Sequence, residues 1–144
     1  MGLSVSASAG VVFLGVFLAV GVAYPAVANG FEQVTDARHD AADRALDRAN
    51  TAVVVHNATY YSGNSTLVVN ATNDGTTTLD VSDTTLLADN NVTDPVVTVA
   101  GNDTTDVWVP GETAQFEVSL TPEPGRAQVV VDHGVRDAST VVVN

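Results

Sequence analysis

Side chains able to do chemistry are few in this chain, and they do not fall at catalytic spacings. Its histidines are His39, His56 and His133; the first lies in a helix-like stretch and the other two in strand-like stretches. A histidine serves a metal or a proton-transfer step when a second ligand or a carboxylate stands at a fixed offset, as in H-E-x-x-H, and no such offset occurs. No G-x-S-x-G elbow, phosphate-binding loop or G-x-G-x-x-G turn is found either. Strand histidines without such partners ordinarily serve packing or solvation. Cysteine is absent, which removes disulfides, thiolate nucleophiles and Cys-ligated metals. Asp103 and Asp106 could draw a cation to their turn, but the ligand spacing of a calcium loop is missing. The expectation is no catalytic residue, no metal site and no cofactor: a chain that holds or binds.

One modification motif does recur. Asn57, Asn64, Asn70, Asn91 and Asn102 each open an Asn-x-Thr triplet, the acceptor pattern for N-glycosylation of surface segments. Asn70 alternates with Leu67, Val69 and Ala71, which predicts that it faces solvent. Glycosylation of at least two of the five, and with it an exterior location, is expected. Trp108 is the only tryptophan; a core or edge anchor and a partner-contact anchor are both open to it.

The charge balance bounds the partners. Seventeen acids stand against five bases, for a net charge of -12, and every base is an arginine. The acids recur singly instead of forming a tail, and a surface so charged repels phosphate, which argues against nucleic acid as a partner. Carboxylates without the long apolar stems of lysine suit solubility in strong brine, where charges are screened. A halophilic protein is expected.

These residues must be carried by a small set of elements. Ala9 to Ala28 reads AGVVFLGVFLAVGVAYPAVA without a charge. Twenty helical residues rise about 30 Å, the hydrocarbon thickness of a bilayer, and the absence of a polar stripe distinguishes the segment from a soluble core helix. Pro25 is expected to kink it, and Tyr24 sits where an interfacial aromatic belongs. A cleaved signal peptide is the competing reading, helped by the small residues Ala26 and Ala28. The length of the run and the lack of Lys or Arg before Ala9 favour a retained anchor. Residues 1–30 therefore read as tail and transmembrane helix.

Residues 31–50, FEQVTDARHDAADRALDRAN, read as a helical stalk with a weak apolar stripe and an Asp40–Arg44 pair at i,i+4; solvated stalk and dimerising helix are both open. From Thr51 the apolar period becomes two. Ala114, Phe116, Val118 and Leu120 alternate with Gln115, Glu117 and Ser119, and Leu79 and Val81 oppose Asp80 and Ser82. Further Val- and Thr-rich runs at Val53–Tyr61, Leu67–Thr72, Val96–Ala100, Val107–Val109, Ala127–Asp132 and Thr140–Val143 are separated by turn clusters such as Asn73-Asp74-Gly75, Asp89-Asn90-Asn91 and Pro110-Gly111. Seven or eight short strands without an intervening helix predict an immunoglobulin-like β-sandwich over 51–144.

Taken together, the opening MGLSVSASAGVVFLGVFLAVGVAYPAVANGFEQV, the stalk ending DRALDRANTAV, and the later NDGTTTLDVSDTTLLAD and VWVPGET resemble the FlaF-type (ArlF) archaellum proteins of haloarchaea, with the FlaG-type sister family the nearest alternative. The resemblance spans nearly the whole chain. It implies a stator component of the archaeal rotary filament: one membrane helix, an immunoglobulin-like domain outside the cell beneath the S-layer, binding to the S-layer glycoprotein, and a FlaG-type partner. A homodimer formed through sandwich edge strands would fit the same architecture. No contact residue carries over by motif.

The alternative from a second class is a type IV pilin or archaellin-like filament subunit, which also joins an apolar helix to a β domain. Such chains normally carry a basic leader ending in Gly, whereas here Met1-Gly2 precedes Leu3 without Lys or Arg. A surface enzyme or solute-binding lipoprotein is disfavoured by the missing reactive constellation and the missing cysteine.

Overall fold

The fold is described from a computed structural model covering residues 2–144; Met1 and the side chains of residues 2–5 and of Ala26, all within the expected tail and anchor, lie outside it. By contacts the chain divides into two units, one ending at Asp43 and one beginning at Arg44.

A single helix, α1, runs Gly2–Asn50. The expected boundary at residue 30 is one of composition, because the helix is unbroken there and continues through Pro25. Val11, Phe13, Phe17 and Val22 are each more than two-thirds exposed. Removing one such side chain from water is worth about 1.5–3 kcal/mol, so these side chains gain from an apolar surrounding. Among the described residues, α1 is the one helix long and apolar enough to cross a membrane.

The second unit is a β-sandwich. Its strands are β1 (Val53–Tyr61), β2 (Thr66–Asn73), β3 (Leu79–Asp80), β4 (Thr85–Ala88), β5 (Asn91–Val92), β6 (Val96–Val99), β7 (Val107–Trp108), β8 (Thr113–Ser119), β9 (Arg126–Val130), β10 (Arg136–Thr140) and β11 (Val142–Val143). One sheet has the order β11-β1-β2-β8-β6, the other β10-β9-β4-β5, and β3 and β7 form a short ribbon. All pairs are antiparallel except β1–β11.

Alternation drives this arrangement. Along β2, Leu67, Val69 and Ala71 are wholly buried while Val68, Asn70 and Thr72 stand on the outer side; on β8, Ala114 and Phe116 do the same. The two inner faces meet over Leu86, Val99 and Val129. Trp108 is 0% exposed, packs edge-on against Phe116 with ring centroids 6.0 Å apart, and donates its indole N–H to the Glu112 carbonyl at 2.8 Å. Of the two roles open to Trp108, its burial here is that of a core residue.

Asn73 holds the end of the sandwich. Fully buried, its amide donates to the carbonyls of Thr77 and Trp108 at 2.9 and 3.0 Å and accepts the Gly75 N–H at 3.1 Å. Its backbone is bound on both sides by the Pro110-Gly111 turn, whose Gly111 has φ +84, the conformation a type II turn demands after Pro. Where the same unit receives the end of α1, the Asn50 carbonyl accepts the N–H groups of Thr76 and Thr77, and the Ala52 carbonyl those of Asp74 and Gly75.

Candidate functional site

The groups expected to carry chemistry remain scattered. His39 lies exposed on α1. His56 is exposed on β1, with Nε2 2.8 Å from the Thr72 hydroxyl. His133 is not in a strand, as its neighbours suggested, but in the single 3-10 turn Asp132–Gly134 joining β9 to β10, with φ +58. Among the described residues no group of three or more His, Asp or Glu is placed to hold a metal ion. Asp103 and Asp106, together with Asp94, line an open groove of about 360 Å³ that Val81, Val92 and Val97 also border.

The five acceptor asparagines fall into two geometric classes. Asn57 and Asn70 are register partners on β1 and β2, on the outer face of the larger sheet. Asn70 Nδ2 donates to Asn57 Oδ1 at 2.8 Å. The Asn70 nitrogen that a sugar would have to take is therefore occupied, and the residue is only half-exposed, less open than alternation alone predicted. Asn64 and Asn102 lie at turns and Asn91 opens β5, and all three are exposed. Asn102 Oδ1 accepts both the N–H and the hydroxyl of Thr104, at 2.9 and 2.8 Å, which leaves its Nδ2 pointing to solvent chemistry. Its position is set by a two-residue turn: Val99 and Asn102 exchange both backbone hydrogen bonds, and Ala100 and Gly101 have φ +48 and +85, the primed hairpin geometry.

One carboxylate is tuned by its neighbours. Asp80 Oδ1 accepts the hydroxyl of Ser82 at 2.7 Å and its N–H at 2.8 Å. The hydroxyl first, and the N–H second, hold Asp80 below its ordinary range, since both bonds favour the ionised form.

The arrangement has surfaces and edges but no reaction centre among the described residues. Sequence reasoning overlooked the one basic surface of the sandwich, formed by Arg126 and Arg136. The available signal was that these are the only arginines after Arg48.

No protein-family model and no curated protein matches the chain. Among solved structures it is similar to the archaellum periplasmic stator protein FlaG from Sulfolobus acidocaldarius, at 19% identity over 62% of this chain and 97% of that one, with a TM-score of 0.45. It is also similar to the periplasmic stator complex of FlaF and FlaG from the same organism, at 18% identity over 60% and 85%, with a TM-score of 0.42. At these values neither likeness decides a function.

Proposed function

We propose that the chain is a non-enzymatic stator component of the archaellum, of the FlaF type, anchored in the membrane by the apolar part of α1 and binding the S-layer through its sandwich. The observation that carries the proposal is the presence in one chain of a helix with an exposed apolar stretch of lipid length and a β-sandwich with a dense core and, among the described residues, no metal-holding cluster. A torque-bearing link needs those parts: a tether in lipid, a spacer, and a body whose packed core does not deform under load. The sequence resemblance supplies the motor context, including a FlaG-type partner and a location outside the cell beneath the S-layer. Sheet edges such as β6 and β5 offer unpaired backbone groups to a partner strand, or to a second copy in a homodimer. Glycans belong first on Asn64 and Asn102, where the amide nitrogen is accessible, and the acidic, lysine-free surface belongs to a protein of salt-rich surroundings. Deletion of the gene should leave cells with assembled filaments that do not swim. Full motility in the deletion strain would remove the stator role.

The unbroken run of α1 through both its apolar and its charged half favours a second reading, a pilin- or archaellin-like subunit that polymerises through the helix. Recovery of the chain from sheared filaments, with a processed N-terminus on sequencing, would select this reading over the stator.

A further inference from the structure

Beyond residue 50 the chain carries twelve acids and two arginines. Both arginines lie on one face. In β9, Ala127 and Val129 are buried, so Arg126, Gln128 and Val130 point outward. Register then places Arg136 beside Val130, Ala138 beside Gln128, and Leu87 on the far side of Gln128. No acid shares these outward positions on β4, β9 or β10. Asp137 points to the other side, where its carboxylate accepts the Val55 N–H at 2.8 Å. Asp89, at the end of the same sheet, accepts the N–H groups of Gly125 and Arg126 at 3.0–3.1 Å. The nearest carboxylates are thus held by backbone, and neither guanidinium has an ion pair or hydrogen bond among the described residues.

Between the arginines lies a shallow cavity of about 240 Å³ lined also by Gln128, Ala138 and Asp137, whose carboxylate is engaged by the Val55 N–H. Gln128 is only 8% exposed although it points outward, as expected beneath long arginine stems. Four residues along the ladder put the two arginine backbones about 13 Å apart, and an extended peptide repeats its same-face side chains every ~7 Å. Two carboxylates four positions apart in such a peptide, about 13 Å, can therefore each meet one guanidinium from above. An apolar strip of Leu87, Val130 and Val92, the last 74% exposed, borders the pair, and an apolar centre with arginine at its margin is the composition of a protein interface. An extended polyanion would meet the twelve acids elsewhere on the unit and be repelled.

We infer that the outer face of the β10-β9-β4-β5 sheet is a docking surface for an acidic protein segment, held by Arg126 and Arg136. The assignment stands whichever assembly the chain serves. The full chain in nanodiscs of zwitterionic lipid would be titrated with a synthetic alternating Asp-Thr peptide while the arginine Nε–Hε resonances are followed by NMR. Two resonances should shift saturably, each identified by its loss in Arg126→Gln or Arg136→Gln. Each variant should weaken binding about fivefold at an unchanged unfolding midpoint, and an alternating Lys-Thr peptide should shift neither. The inference is overturned if the peptide moves no arginine resonance, or if the double variant binds as tightly as the parent. It is overturned equally if dextran sulfate saturates the two resonances and the peptide does not, which would mark a glycan site. Self-association of the chain that either substitution abolishes would assign the face to a second copy instead.

Discussion

Asn73 concentrates more structural consequence than any other polar side chain in the sandwich. Its amide meets three backbone groups in a place closed to water, and a buried carbonyl or N–H left without a partner costs about 1–3 kcal/mol. Asn73→Ala should lower stability by about 2–4 kcal/mol, read as a fall in the urea midpoint at constant slope. Asp80 is the opposite case, an exposed group whose effect is seen in titration. Its folded pKa is depressed by Ser82, so the linked stabilisation is present above the unfolded Asp value and is lost as pH falls through the folded one. Ser82→Ala should move the Asp80 carboxyl titration, followed by NMR, up toward the ordinary range; an unmoved titration would exclude the hydroxyl as the cause. At this scale the sequence displays composition but not pairing. The Asn-x-Thr triplets are visible as strings, yet the Asn57–Asn70 hydrogen bond exists only because a bulge after Val55 sets the register of β1 on β2. Arg126 and Arg136 are ten positions apart and come onto one sheet face only through the turn at His133.

Elements with clean periodicity are legible from the string. The alternation of Ala114, Phe116 and Val118 marks β8 because every second side chain enters the core, and β1 reproduces its expected bounds at Val53–Tyr61. Two others were hidden for physical reasons. β4 has Leu86 and Leu87 side by side, the first buried and the second half-buried on the outer face, so no alternation is seen. β10, RDAST, is polar on both sides because it is an edge strand whose inward Asp137 bonds to backbone. The meeting of helix and sandwich was also invisible: a Cβ on Gly75 would lie 2.5 Å from the Asn50 carbonyl oxygen and 2.6 Å from the Ala52 nitrogen. Both are backbone atoms that cannot swing aside, so Gly75→Ala must break the hydrogen bonds from residues 74–77 to Asn50 and Ala52. A loss of about 2 kcal/mol is expected, with faster amide exchange at Thr76 and Thr77 as the local sign. Ala100 gives the converse test. With φ +48 in a primed turn, it bears a steric cost that glycine avoids, and Ala100→Gly should raise the unfolding free energy by about 0.5 kcal/mol, read from the urea midpoint, despite glycine's greater entropy in the unfolded chain.

For the whole molecule, the distribution of charge explains how so acidic a chain keeps a compact sandwich. Nine of the twelve acids beyond residue 50 sit in the connections between strands, while the outward face of β1, β2, β8 and β6 carries a single acid, Glu117. Repulsion is therefore concentrated at the ends of the sandwich, where turns such as Asp103–Asp106 and Asp80–Asp83 gather like charges at short range. Like charges within a Debye length oppose the folded state, and that length shrinks from about 10 Å at 0.1 M salt to about 3 Å at 1 M. Few arginines and no lysines are present to lose attraction over the same interval. Screening should then act almost wholly by relieving repulsion, so the thermal midpoint of the sandwich should climb steadily from low salt to molar KCl. Chloride and acetate salts of potassium should do this alike, which separates screening from specific anion effects. Neutralising the turn acids, as in Asp103→Asn with Asp106→Asn, should raise the low-salt midpoint and flatten the salt dependence together. A midpoint that stays level or falls with added KCl would mean that the acids are not the destabilising charges, and the halophilic reading of the surface would lose its physical basis.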